Sequence, residues 1–180
     1  MVDTSESFNK IKDSDLSKTG ILLLSHGSRL PHGSNVINSL SEMYQDEFPG
    51  SIVETGFMEI TEPNIPQAFE NLKKHGELDR IIVVPVFVAH GLHTKRDIPK
   101  ILGLENEEDS HEEHHHGEGH PHKDHHGEGH HGGHHHGGGH HHHHHEIEKV
   151  DFDGEIIFTD PLEDDPLILE IIKRRISNSL

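Results

Sequence analysis

The sequence contains no cysteine, which excludes disulfides, thiolate-held metal and a cysteine nucleophile. Positive charge is scarce: 15 Lys and Arg stand against 33 Asp and Glu, a formal net charge of −18. Nucleic acid is recognised by clustered Lys and Arg, so it is not an expected partner. Long apolar runs are missing too. The longest, "RIIVVPVFVA", is well short of the roughly 20 residues that span a bilayer, and the opening "MVDTSESFNKIKDSDLSKT" lacks the apolar core of a signal peptide. The expectation is a cytoplasmic protein with no membrane partner. Nucleotide and hydrolase signatures are also wanting: there is no G-x-x-x-x-G-K-[ST] and no G-x-G-x-x-G, and "SHGS" is not G-x-S-x-G.

Histidine is what the chain has in excess. Of its 24 His residues, nineteen lie between His111 and His145. Neutral imidazole is the commonest protein ligand for Zn, Ni, Co and Cu. Six consecutive His, His140 to His145, look like an expression tag, but the tract is internal and interleaved with Glu, Asp and Gly, whereas tags are normally terminal and pure. Low-complexity, Gly-rich sequence cannot hold a fixed coordination geometry. The division expected is therefore a polar N-terminal extension (1–19), one folded domain from 20–104 and 147–180, and a disordered His-rich insertion (105–146) that collects metal without being the catalyst.

The folded part alternates. "GILLLSHGS" reads as a strand buried on both faces. Val36, Leu40, Met43, Tyr44 and Phe48 form one stripe of a helix capped near Ser34 and ended by Pro49-Gly50. "SIVETGFMEI" is a second strand, and Pro63 suits the first turn of a helix burying Ile65, Ala68, Phe69 and Leu72. "DRIIVVPVFV" is a third strand, with Pro85 awkward for its interior. "RDIPKILGL" suggests a short helix, "GEIIFTD" a fourth strand, and Asp165-Pro166 opens a helix with Ile168, Ile171, Ile172 and Ile176 on one side. This order predicts an α/β fold, an open, mostly parallel four-stranded sheet with helices on both faces.

Ligands in such folds bind at the carboxyl ends of strands. His26 follows the first strand, His93 the third, and Glu59 and Glu62 the second. Two imidazoles with a carboxylate suit a borderline divalent metal with open coordination positions. His90 competes with His93, and spacing does not choose between them. His32 and His75 read as surface residues.

"LLLSHGSR", "GFMEITEPNIPQAF" and "IIVVPVFVAHGLHTKRDIPKILGL", in that order, resemble the small archaeal class II sirohydrochlorin chelatases, some of which carry a His-rich insertion at this place. "DPLEDDPLILEII" fits their closing helix. The resemblance implies a single-domain, chelatase-like (flavodoxin-like) fold that inserts Co²⁺ or Ni²⁺ into sirohydrochlorin for cobalamin or coenzyme F430 synthesis. It implies no cofactor beyond that substrate metal, and a homodimer with each site near the subunit interface. By position, it makes His26 a metal ligand and the proton acceptor, and His93 the second ligand in preference to His90. It makes Glu62 a substrate contact, and Val88, Ala89, His90, Gly91, Leu92 and His93 the loop lining the macrocycle. Arg29, Lys95 and Arg96 offer local positive charge for the carboxylates of sirohydrochlorin. The rival classes are a non-catalytic nickel or cobalt storage protein or metallochaperone, and a sirohydrochlorin ferrochelatase.

Overall fold

The apolar runs become four strands: β1 (Thr19–Ser25), β2 (Ile52–Phe57), β3 (Arg80–Pro85) and β4 (Glu155–Phe158). They pair in parallel throughout, in the order β2-β1-β3-β4. Between and after them lie helices α1 (Pro31–Glu47), α2 (Ile65–Lys73), α3 (Ile98–Leu102) and α4 (Pro166–Ser177), with one π-helical turn at His93–Asp97. The computed structural model describes residues 16–104 and 148–180. The expected His-rich insertion and most of the N-terminal extension lie outside the described residues. No helix among the described residues is long and apolar enough to cross a membrane.

Register explains the main core. Leu22 and Leu24 lie beside Val83 and Pro85, on the face covered by Ile65, Ala68, Phe69 and Leu72 of α2 and Ile98 and Leu102 of α3. These side chains are almost wholly removed from water, the Leu, Ile, Val and Phe among them each contributing on the order of 1.5–3 kcal/mol. The opposite face packs Ile21 and Val53 with Leu16, and with Tyr44 and Phe48 of α1. Leu16 thus belongs to a core, and β1 starts at Thr19, both inside the range read as a polar extension.

Several local expectations are corrected. Helix α1 starts at Pro31, with Leu30 at its N-cap and no capping side chain; the fixed φ of proline suits that first turn. Its buried residues are Ile37 and Ser41, while Val36, Leu40 and Met43 are exposed. The side-chain bonds of Asn38 and Gln45 to β2 set that rotation. Helix α2 starts after Pro63: Asn64 and Gln67 form a reciprocal capping box, and Pro66 occupies the first turn. Pro85 ends β3, where its missing N–H costs no ladder bond. Helix α4 buries none of its residues: Ile168 is half-buried, and Ile171, Ile172 and Ile176 are exposed.

Candidate metal centre

At the carboxyl edge of the sheet, the loops after β1 and β2 are stitched together beyond their paired strands. The Met58 N–H donates to the Ser25 carbonyl at 2.9 Å, and the Glu59 N–H to the His26 carbonyl at 3.1 Å. Thr61 Oγ1 accepts from the Ser28 N–H and donates to the Ser28 carbonyl, both at 3.0 Å. Gly27 permits this approach. Its φ is +97°, and a Cβ there would lie 1.9 Å from the Glu59 carbonyl oxygen, so no other residue fits.

The stitching sets His26 beside Glu59, with Nε2 3.0 Å from Oε1. From the third loop comes His93, whose ring centroid lies 5.0 Å from that of His26 at a tilt of 42°. One ligand atom from each of His26, Glu59 and His93 falls within 4.8 Å of the others. That spread is small enough for one ion to meet all three, and the donor set suits a borderline divalent cation. His26 and Glu59 are exposed and His93 is half-buried, so a large ligand can approach from outside.

The π-helical turn orients His93. Buried Thr94 anchors its start: Oγ1 accepts from the Gly91 N–H at 2.9 Å and donates to the Gly91 carbonyl at 3.1 Å. One turn on, Asp97 Oδ2 lies 2.8 Å from His93 Nδ1, and Arg96 Nε donates to Oδ1 at 2.9 Å. Burial pushes the Asp97 carboxyl up, but the hydrogen bonds from Arg96 and His93 outweigh it and hold the group below its ordinary value. An ionised carboxylate only accepts, so Nδ1 carries the proton and the lone pair of His93 sits on Nε2. Asp97 went unnoticed in the sequence. The signal was there, a His and an Asp four apart, but it has meaning only once that stretch is helical.

Of the sequence candidates, His26 and His93 are brought together. The adjacent carboxylate is Glu59, whereas Glu62 is exposed, just ahead of Pro63, and outside that group. Val88, Ala89, His90, Gly91 and Leu92 form an exposed loop leading into His93. His90 faces elsewhere: Nε2 lies 3.5 Å from both Asp160 and Glu163, and Nδ1 3.3 Å from Thr94 Oγ1. Arg29, Lys95 and Arg96 are exposed. The same three loops also expose Leu30, Ile60, Val88 and Leu92 at 60–71%, an apolar rim that sequence could not distinguish from core.

Comparison with known proteins gives consistent relatives. A family model described as CbiX matches residues 20–179. A sirohydrochlorin cobaltochelatase of Methanothermobacter thermautotrophicus is 43% identical over 163 residues, covering 91% of this chain and 94% of its own. That of Methanopyrus kandleri is 44% identical over 160 residues, covering 89% of this chain and 96% of its own. Among solved structures, a cobalamin (vitamin B12) biosynthesis CbiX protein of Marinobacter aquaeolei superposes with a TM-score of 0.53 at 19% identity. The superposition covers 89% of this chain and 97% of that one, a likeness of fold.

Proposed function

The chain belongs to the CbiX family, and on that premise we propose that it is a sirohydrochlorin chelatase, inserting Co²⁺ or Ni²⁺ into the macrocycle. The observation that carries the reading is the convergence of His26, Glu59 and His93 from three strand ends. Insertion exchanges one divalent ion for two pyrrole N–H protons. The site therefore needs donors that hold the ion on one side only, and acceptors for two protons beside it.

The three groups meet both demands. His93, its ring fixed by Asp97, is the standing ligand. His26 and Glu59 hold the ion with it at first. As the ring nitrogens take over, each of these two is freed to accept one proton, so charge balances as the ion enters the macrocycle. The apolar rim of Leu30, Ile60, Val88 and Leu92 suits the flat face of a tetrapyrrole, with Val88–His93 as the lining loop. Glu62 orients the ring, and Arg29 and Lys95 meet its carboxylates. The finer reading includes nickel as an alternative metal, a place in cobalamin or coenzyme F430 synthesis, and a homodimer.

The test is an anaerobic assay of sirohydrochlorin with Co²⁺, Ni²⁺ and Fe²⁺ separately, followed by absorbance. Insertion of Co²⁺ or Ni²⁺, lost in His93→Ala, is expected. Bound metal without turnover would refute the proposal and leave a metal store; preference for Fe²⁺ would make the protein a ferrochelatase.

A further inference from the structure

Two non-glycine residues among those described have a positive φ, Glu163 at +46° and Ile60 at +70°. For an unbranched side chain this is uncommon; for a β-branched one it is a genuine outlier. The Thr61 N–H donates back to the Glu59 carbonyl at 2.7 Å, so Ile60 is the centre of a γ-turn of the rare, strained hand. Its neighbours force it there. The Glu59 N–H is held by the His26 carbonyl at 3.1 Å, and Thr61 Oγ1 is bonded to both the N–H and the carbonyl of Ser28 at 3.0 Å. One residue is left to close the gap between these anchors. Glycine adopts such a φ without steric cost, and on the facing loop Gly27 does so at +97°.

Strain of this kind persists only where the surrounding structure holds it, and it clusters at functional sites. Ile60 contributes little to its own fold: it belongs to neither hydrophobic cluster and is 60% exposed. Its position distinguishes it. It stands one residue beyond Glu59, on the edge where Leu30, Val88 and Leu92 are exposed to a similar degree. A β-branched side chain has little freedom at χ1, so on a turn pinned at both ends it is a fixed apolar projection beside the three donors. The flat body of a macrocycle is a better partner for it than water. Arg29 and Lys95, exposed on the flanking loops, suit the carboxylates at the periphery of such a ring.

We infer that Ile60 is the contact that seats the macrocycle over the metal centre, its turn kept strained so that the side chain meets the ring as the pyrrole nitrogens come over the ion. The inference deepens the chelatase reading and rests on it. An apolar contact already fixed in place holds a ligand with little ordering cost on binding. Covering an isoleucine side chain that is 60% exposed changes affinity about 5–20-fold. The ion does not need this contact, because Glu59 keeps its anchor on the His26 carbonyl whatever side chain stands at position 60. Replacing Ile60 therefore weakens the hold on the ring, spares the hold on the ion and leaves the fold no less stable. A packing residue would lower stability first.

Ile60→Asn separates these effects, because asparagine accepts a positive φ but offers no apolar surface. Chelator-treated wild type and variant are titrated with sirohydrochlorin by absorbance, and Co²⁺ insertion is then assayed against the concentration of each substrate. The expected result is a dissociation constant and KM for the ring raised about 5–20-fold. The Co²⁺ concentration for half-maximal rate should be unchanged, and the thermal midpoint equal to or above that of the wild type. Ile60→Gly should behave alike, whereas Ile60→Val, one methylene smaller, should stay within about fourfold of the wild-type ring affinity. Wild-type ring affinity in Ile60→Asn overturns the inference. So does a thermal midpoint several degrees lower in both Ile60→Asn and Ile60→Gly, which would make Ile60 a packing residue. Failure of the chelatase reading shows differently, as a wild type that binds the ring without inserting metal, and the affinity ratio still decides Ile60. A wild type that binds no sirohydrochlorin overturns both.

Discussion

Asp97→Asn isolates the orientation of His93 from its identity as a ligand. In the wild type both carboxylate oxygens accept, one from His93 Nδ1 and one from Arg96 Nε. An amide has a single accepting oxygen, so one of those N–H groups must face an NH₂. A hydrogen bond to a charged group contributes about 1.5–3 kcal/mol, and loss of a carboxylate behind a metal-binding imidazole weakens metal affinity or activity about 10–100-fold. The Asp97 side chain is 27% exposed and its Arg96 partner 58%; water screens such a cluster, which favours the lower end, about tenfold. Titration with Co²⁺, read from its visible absorption, should show that weakening, and the metal concentration for half-maximal insertion should rise in step. The thermal midpoint at neutral pH should fall only slightly, by the contribution of this partly exposed cluster, because no core side chain is touched. A variant whose Co²⁺ affinity equals that of the wild type would show that Asp97 does not orient His93.

His26→Ala and His93→Ala should each lower insertion by about 10²-fold or more with the fold intact in circular dichroism, while His90→Ala, outside the three-donor group, should be milder; equal severity at His90 would mean a misassigned ligand. Gly27→Ala should cost on the order of 1–3 kcal/mol in a denaturant titration and abolish insertion, since the loops carrying His26 and Glu59 must part; wild-type activity would show that their stitching is dispensable. Because the carboxyl of Asp97 is held below its ordinary value, its stabilising contribution is present above the usual carboxylate range of about 4 and is lost as pH falls through the native value. Thermal midpoints of wild type and Asp97→Asn should therefore converge in acid, and a gap that widened there would reverse the sign of the argument. Deleting residues 111–145 should remove most of the bound Ni²⁺ or Co²⁺ seen by calorimetry and raise the metal needed for half-maximal rate, with the maximal rate nearly unchanged; collapse of that rate in a folded variant would place catalytic ligands in the tract.

The alternation of strand and helix was legible because the first and third strands read as unbroken apolar runs, and their ends pointed to His26 and His93. The orientation of α1 was not. Val36-Leu40-Met43 and Ile37-Ser41-Tyr44 both keep helical spacing, and side-chain bonds to β2 decide which one turns inward. Glu59 and Glu62 are equally acidic in sequence; only the Gly27 approach and the Thr61 bonds to Ser28 set one of them beside His26. The apolar side of α4 was visible in its residues, but periodicity alone does not say that a face is covered, and in this chain most of it is exposed.

The contact between His26 and Glu59 has a bearing on turnover. Before an ion arrives, these two groups already satisfy one another at 3.0 Å, so an ion held through His26 Nε2 and Glu59 Oε1, as proposed, would have to break that bond, and its release would restore it. The affinity of the site is lowered by the strength of the contact it displaces. A protein built to keep its ion would leave its donors unsatisfied and waiting. One that must surrender it to a competing ring of four nitrogens gains from donors that close on each other once the ion has gone: the resting bond acts as a spring, speeding departure and discouraging return.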